Sequence, residues 1–162
     1  MAVFKLHLDE FDEVDYELIA IHSSIEDYRM AYFLNQNLPI ILSKSKQYIS
    51  VNSKEGEVFF SKFTFDDLKN DLQWSLLQNK NEIITSKSIP NPNLFSNIII
   101  EVETNVFLIP ELKKVDYFLK IENTNANFDL HTILKKIHTI TKITTAYAVD
   151  PEKIKSKNNL IF

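Results

Sequence analysis

A chain of 162 residues with 44% hydrophobic and 25% charged side chains holds enough apolar surface for one domain with a real core. It has no cysteine and one glycine, which excludes disulfides, thiolate nucleophiles, cysteine-held zinc and every glycine-rich phosphate loop. The formal charge of -4 argues against a broad nucleic-acid surface, but it is unevenly spread: residues 1–30 carry eight acidic and two basic side chains, residues 110–162 six and nine.

Phe4, Leu6 and Leu8 alternate with polar neighbours as in a half-buried strand. Asp9, Glu10, Asp12, Glu13 and Asp15 follow. Their spacing fits no calcium loop and no glycine makes the turn, so no metal is expected. Residues 14–22 read as a strand rich in branched side chains. Ser24 is the expected cap of a helix, with Asp27 three residues on. Ile25, Tyr28, Tyr32 and Phe33 fall near one face, widened by Ala31 and Leu34. Arg29, the one arginine, has Glu26 or Asp15 within reach and is otherwise a grip for a carboxylate or phosphate.

After Pro39, residues 40–42 and 48–51 read as strands, and residues 57–65 pair with the latter across a turn at Gly56. Residues 72–80 suit a strand better than a helix, because aromatic and hairpin-like segments surround them. Ile83–Thr85 forms a short strand. Residues 86–97, with Pro90, Pro92 and three asparagines, read as the main loop and the boundary between two halves, 1–85 and 95–162. A strand from Ile98 to Val102, a turn at Asn105 and an extended run to Ile109 follow. Pro110 has no amide donor and must lie at an edge, an end or a bulge. Val115 opens a core strand marked by Tyr117, Leu119 and Ile121. A helix then presents Leu130, Ile133, Leu134, Ile137 and His138 on one stripe. Residues 143–149 form a last strand, and Leu160, Ile161 and Phe162 close a lysine-rich tail that docks on the body or on a second copy.

Val14-Asp15-Tyr16 recurs as Val115-Asp116-Tyr117, each followed by strand, helix and strand. Two β-α-β units with antiparallel strands between them predict an α+β fold: a two-layer, largely antiparallel sheet with two helices, ferredoxin-like or double split β-α-β. Such a sheet needs its open face covered, and the aromatic content makes a homodimer the expected cover.

No catalytic constellation emerges. A serine elbow needs glycines that are missing. His131 and His138 are seven residues apart, too far for a helical metal pair. His7 and His22 complete the candidate acid-base groups, and the chain is not expected to be an enzyme or to hold a cofactor. His22, Ser24, Arg29, Lys135 and Lys136 remain as candidate ligand or partner contacts.

Ile109, Pro110 and Glu111, then three residues, then Val115, Asp116 and Tyr117 resemble the signature of the IPExxxVDY family of small bacterial proteins. All six named letters match, and the motif's place in the last third fits as well. The resemblance implies no activity, cofactor or catalytic residue, so those six positions are taken as a structural signature. No apolar run reaches membrane-span length and no signal-peptide core follows Met1, so a cytoplasmic location is the default. The expected function is a noncatalytic protein-binding or adaptor role toward another protein. The alternatives are a small-molecule sensor similar to ACT modules and, less favoured, an RNA-associated accessory protein using Lys135, Lys136, Lys142 and the tail lysines.

Overall fold

The computed structural model describes residues 14–93 and 97–162. The strand reading at residues 4–8 and most of the acidic patch lie outside the described residues. Ten strands and two helices follow in order: β1 (Tyr16–His22), α1 (Asp27–Asn37), β2 (Ser43–Lys44), β3 (Ile49–Ser53), β4 (Gly56–Phe60), β5 (Lys62–Asp67), β6 (Leu72–Gln78), β7 (Lys80–Ile89), β8 (Ile98–Phe107), β9 (Tyr117–Glu122), α2 (Leu130–His138) and β10 (Thr145–Val149).

Six strands form one antiparallel sheet in the order β10-β1-β9-β6-β5-β2. β1 runs antiparallel to both β9 and β10, and β9 runs antiparallel to β6. Hence β9 and β10 are parallel with β1 between them, and β1 and β6 are parallel with β9 between them. The mixed α+β organisation with two helices and antiparallel pairing agrees with the sequence reading.

Strand alternation divides this sheet into two cores. Ile19, Ile21, Trp74, Leu76, Leu119 and Ile121 face the helices, packing with Met30, Ala31 and Leu34 of α1 and Ile133 and Ile137 of α2. Leu18, Ala20, Leu77 and Phe118 face the opposite way. The chain covers that second face itself, with Ile49, Val58 and Phe60 of the β3–β4 hairpin, Leu108, Ile109, Val115, Ile154 and Leu160. The two-layer expectation therefore gains a third layer, which covers this face from within the chain. β9 has its first five residues buried. Full burial of one such Phe or Leu stabilises by about 1.5–3 kcal/mol.

Several local expectations change. The cap of α1 is Glu26, not Ser24, and it makes no side-chain capping bond. Ser23 is held elsewhere: its N–H donates to Asp116 Oδ2 at 2.8 Å and its hydroxyl to the Lys142 carbonyl at 2.6 Å, so the chain stays extended before the helix. Tyr28 and Tyr32 are exposed, because the buried face belongs to Met30, Ala31 and Leu34. Residues 40–42 form no strand. The Asn35 amide instead donates to the Leu42 carbonyl at 3.0 Å and accepts the Leu42 N–H at 2.8 Å.

The β3–β4 hairpin turns at Gly56, whose φ of 134° suits glycine alone. The run 57–65 breaks at Ser61, sending β4 to a small sheet and β5 to the main one. Residues 72–78 are a strand, as expected. The largest change lies at residues 86–97. Ser86 to Ile89 continue β7, Asn105 lies within β8, and the two strands pair from Lys80↔Phe107 to Ile89↔Ile98. Two ten-residue strands, each with branched side chains among its polar ones, form a continuous ladder, and Pro90 and Pro92 are confined to its tip.

Candidate functional site

The six signature residues organise a junction between the two faces of the sheet. Ile109 and Val115 are buried, and Pro110 opens a short 3-10 turn, Pro110–Leu112, that ends the β8 path. Beneath that turn lies Asn79, with no exposed surface. Its side-chain amide donates to the carbonyls of Leu112 (2.9 Å) and Val115 (2.7 Å), and its Oδ1 accepts the Ile109 N–H (2.9 Å). Its own backbone donates to the Asp116 carbonyl and accepts from the Leu108 N–H. One side chain thus satisfies a turn that has no ladder partner of its own. Asn79 carried no signal in the sequence, where an asparagine after Gln78 reads as a surface strand end.

Glu111 accepts the Ser156 N–H at 2.6 Å and ties the tail to the turn. Burial pushes its carboxyl upward, but backbone N–H donors at Glu111, Ser156 and Lys155 outweigh this and hold it below its ordinary 4.5. A depressed folded value stabilises the docked tail above that pH and is lost as pH falls through the folded value. The protection factor of the Ser156 amide, relative to its intrinsic exchange rate, is therefore expected to fall on acidification, and Glu111→Gln should show low protection at neutral pH too.

Tyr117 is buried and donates its hydroxyl to the Ile25 carbonyl. Burial, then the charges of Asp27, Asp116 and Glu26, push its phenol well above its ordinary 10.0. Tyr117→Phe orphans the carbonyl and should cost about 1–2 kcal/mol in urea denaturation. The folded state keeps the proton that the unfolded state loses, so this stabilisation is complete below pH 10.0 and declines above it. The Phe variant should lack that alkaline component.

Among the other candidates, His22 Nε2 lies 3.1 Å from the Tyr147 hydroxyl, and Asp116 joins the strand carrying His22 through its backbone N–H to the Ile21 carbonyl. Ser24 is exposed beside that junction. Arg29 is exposed and reaches Glu26 Oε2 at 3.5 Å. Lys135 and Lys136 are exposed on α2 and make no ion pair among the described residues. These five do not converge on one site. Among the described residues no three His, Asp or Glu side chains assemble as metal ligands, and no helix is long and apolar enough to cross a membrane.

A second constellation was not visible in the sequence. Lys120, in the middle of β9, is only 3% exposed; its Nζ donates to Glu122 Oε1 at 2.9 Å and to the Leu160 carbonyl at 2.7 Å. The Tyr16 and Phe162 ring centroids lie 4.7 and 4.8 Å from it. Lys62 is also buried, with Nζ 4.3 Å from the Phe162 centroid and no hydrogen-bond or ion-pair partner for that amine among the described residues. Burial first, and then the Lys120 charge, push the Lys62 ammonium down, against the pull of Glu122. Burial and Glu122 push the Tyr16 phenol up. Beside this cluster lies a cavity of about 310 Å³, lined by Tyr16, Lys120, Glu122, Lys157, Ile161 and Phe162 among others. A strand lysine ordinarily reads as solvent-facing, which concealed both amines.

Comparison with known proteins returns no matching family model, no matching curated protein and no matching solved structure.

Proposed function

We propose that the protein is a noncatalytic binding module and that the β7–β8 ribbon is its docking element. The apolar face of the ribbon carries this reading. Directly paired residues share a face, so Ile83, Thr85, Val102, Lys87, Ile100, Ile89 and Ile98 line one side. At its base this side joins the second core through Val106 and Ile83. Towards the tip Ile89, Ile98 and Ile100 are 41–48% exposed. The reverse side carries Glu82, Glu101 and Glu103 together with the exposed Ile84 and Ile99. Exposed branched side chains on both sides, with glutamates among them on one, suit a protein groove with an apolar floor and a basic rim.

The test is affinity recovery from native lysate with wild type and the Ile98→Lys/Ile100→Lys variant as baits. A partner held by wild type, released by salt and lost with the double variant is expected. Equal recovery by both baits overturns the reading. Self-association through the same isoleucines replaces the foreign partner with a second copy.

The fold is compatible with such a role. β10, β1, β9 and β6 with the two helices are read as a ferredoxin-like unit of two split β-α-β halves, with β2–β5 and the ribbon as insertions. The six signature letters keep the likeness to the IPExxxVDY family, in which they serve here as the turn that Asn79 holds. The second reading, a small-molecule sensor similar to ACT modules, is favoured by the cavity beside Lys120. A thermal-shift screen with amino acids, nucleotides and organic acids tests it, and silence across all three counts against it.

A further inference from the structure

We propose that the outer edge of β8 is a strand-addition site, and that it takes an extended segment of a partner protein in which basic and apolar residues alternate. This rests on the reading of the ribbon as a docking element and names the partner's chemistry. Each strand of a two-stranded ribbon has one edge without a ladder, so among the described residues alternate N–H and C=O groups along that edge point outward unpaired. The two edges of this ribbon differ. β7 carries Lys80 and Lys87 and runs into Pro90. Its base lies against β4, where the Asn81 amide donates to the Phe59 carbonyl and Ile83 packs beside Gly56. β8 has no lysine, proline or glycine in its ten residues, and Ile98 to Glu101 are exposed without a break. Lysine and proline keep an exposed edge from pairing, and β8 lacks both. The ribbon is also incomplete by itself, since a lone two-stranded hairpin is marginal in water and a third strand is the smallest addition that makes a stable sheet. Ile89, Ile98 and Ile100 on one side and Ile84 and Ile99 on the other are exposed, as in a sheet that lacks neighbours.

Side-chain alternation sets the class of strand. Residues of an added strand share a side with the β8 residues directly opposite them. Beside Ile98, Ile100 and Val102 the fitting side chains are apolar. On the other side, Glu101 and Glu103 call for lysine or arginine. The same two glutamates disfavour a second copy. In an antiparallel pairing of β8 with itself, a twofold axis through Val102 sets Glu101 of each chain opposite Glu103 of the other, and an axis through Glu101 or Glu103 sets that glutamate opposite its own copy. An axis through Ile100 or Thr104 avoids this only by leaving residues 103–107 or residues 98–100 without a partner.

The probes are a short peptide alternating valine with lysine, a second alternating valine with glutamate, and a backbone N-methylated form of the first. Binding is followed through amide shifts and hydrogen exchange of residues 98–107. The valine–lysine peptide is expected to give saturable shifts in β8 and slowed exchange at alternate β8 amides. Affinity should be at least about tenfold weaker for the valine–glutamate peptide and for the N-methylated form. The Glu101→Lys/Glu103→Lys variant changes exposed side chains only and should reverse the preference between the two charged peptides. No β8 response to the valine–lysine peptide, shifts without alternating protection, an unchanged preference in the double variant, or dimerisation of the free protein through the same amides overturns the proposal. If recovery from lysate depends on Ile98 and Ile100 while these amides stay unprotected, the ribbon docks by its side-chain face, and strand addition falls while the docking reading stands. Silence to both peptides together with equal recovery by both baits rejects both.

Discussion

Replacing Asn79 by alanine is expected to cost about 3–5 kcal/mol, a large share of the roughly 5–15 kcal/mol that holds a domain of this size. The side chain makes three hydrogen bonds where its residue has no exposed surface. Alanine leaves two carbonyls and one N–H without partners, each costing about 1–3 kcal/mol, and partial relaxation brings the sum below simple addition. Asn79→Asp is the sharper control. It keeps the shape and the acceptor for the Ile109 N–H, but it turns oxygen toward the carbonyls of Leu112 and Val115. Its loss should therefore match or exceed that of alanine, and protonation at low pH should partly relieve it. Urea denaturation followed by the fluorescence of Trp74, the one tryptophan, checks both. An alanine variant within about 1 kcal/mol of wild type would show that the turn finds other donors.

The Lys120–Glu122 pair is expected to respond asymmetrically. Glu122→Ala removes the carboxylate bonded to Lys120 Nζ and should cost about 3 kcal/mol, the lower end for a broken buried pair because Glu122 is 30% exposed. Lys120→Met should cost only about 1 kcal/mol, since the remaining carboxylate can take water while the methionine fills the apolar space. The pH dependence separates this from simple packing loss. Burial and the Lys120 charge already hold the Lys62 ammonium below its ordinary 10.5, and Glu122→Ala removes the carboxylate that opposes them. The cost is then complete in neutral solution and shrinks as pH rises toward that value. Equal losses from both substitutions, flat with pH, would mean that the pair is not electrostatically asymmetric.

The parts of the fold that were legible share a strong period. Residues 16–22 and 117–122 are long apolar runs with branched or aromatic side chains, and α2 presents a clear stripe, capped by Asp129 accepting the Thr132 N–H. What was misread depended on partners distant in the chain. Ser24 looked like a cap because nothing local shows that Ser23 is held by Asp116 and Lys142. The prolines at 90 and 92 suggested a broad loop, yet the ladder runs up to Ile89. Of the site, the place of Pro110 past the end of a strand was legible, whereas the bond of Glu111 to Ser156 in the tail was not. Asn79, Lys62 and Lys120 were not legible, since an asparagine or a strand lysine is polar in sequence whether water or protein surrounds it.

The central position of β1 also sets an order of assembly. Both of its neighbours come from the last third of the chain, with Ile21 facing Tyr117 and Leu18 facing Val149. The hairpins β3–β4 and β7–β8 need only short loops to close, whereas β1 must wait for a closure spanning most of the protein. Refolding should accordingly be slow and biphasic, with ribbon amides protected before those of Leu18 to Ile21 in pulsed hydrogen exchange; simultaneous protection would contradict this order. During synthesis β1 emerges well before either of its partners, and only the emergence of β9 ends its exposure.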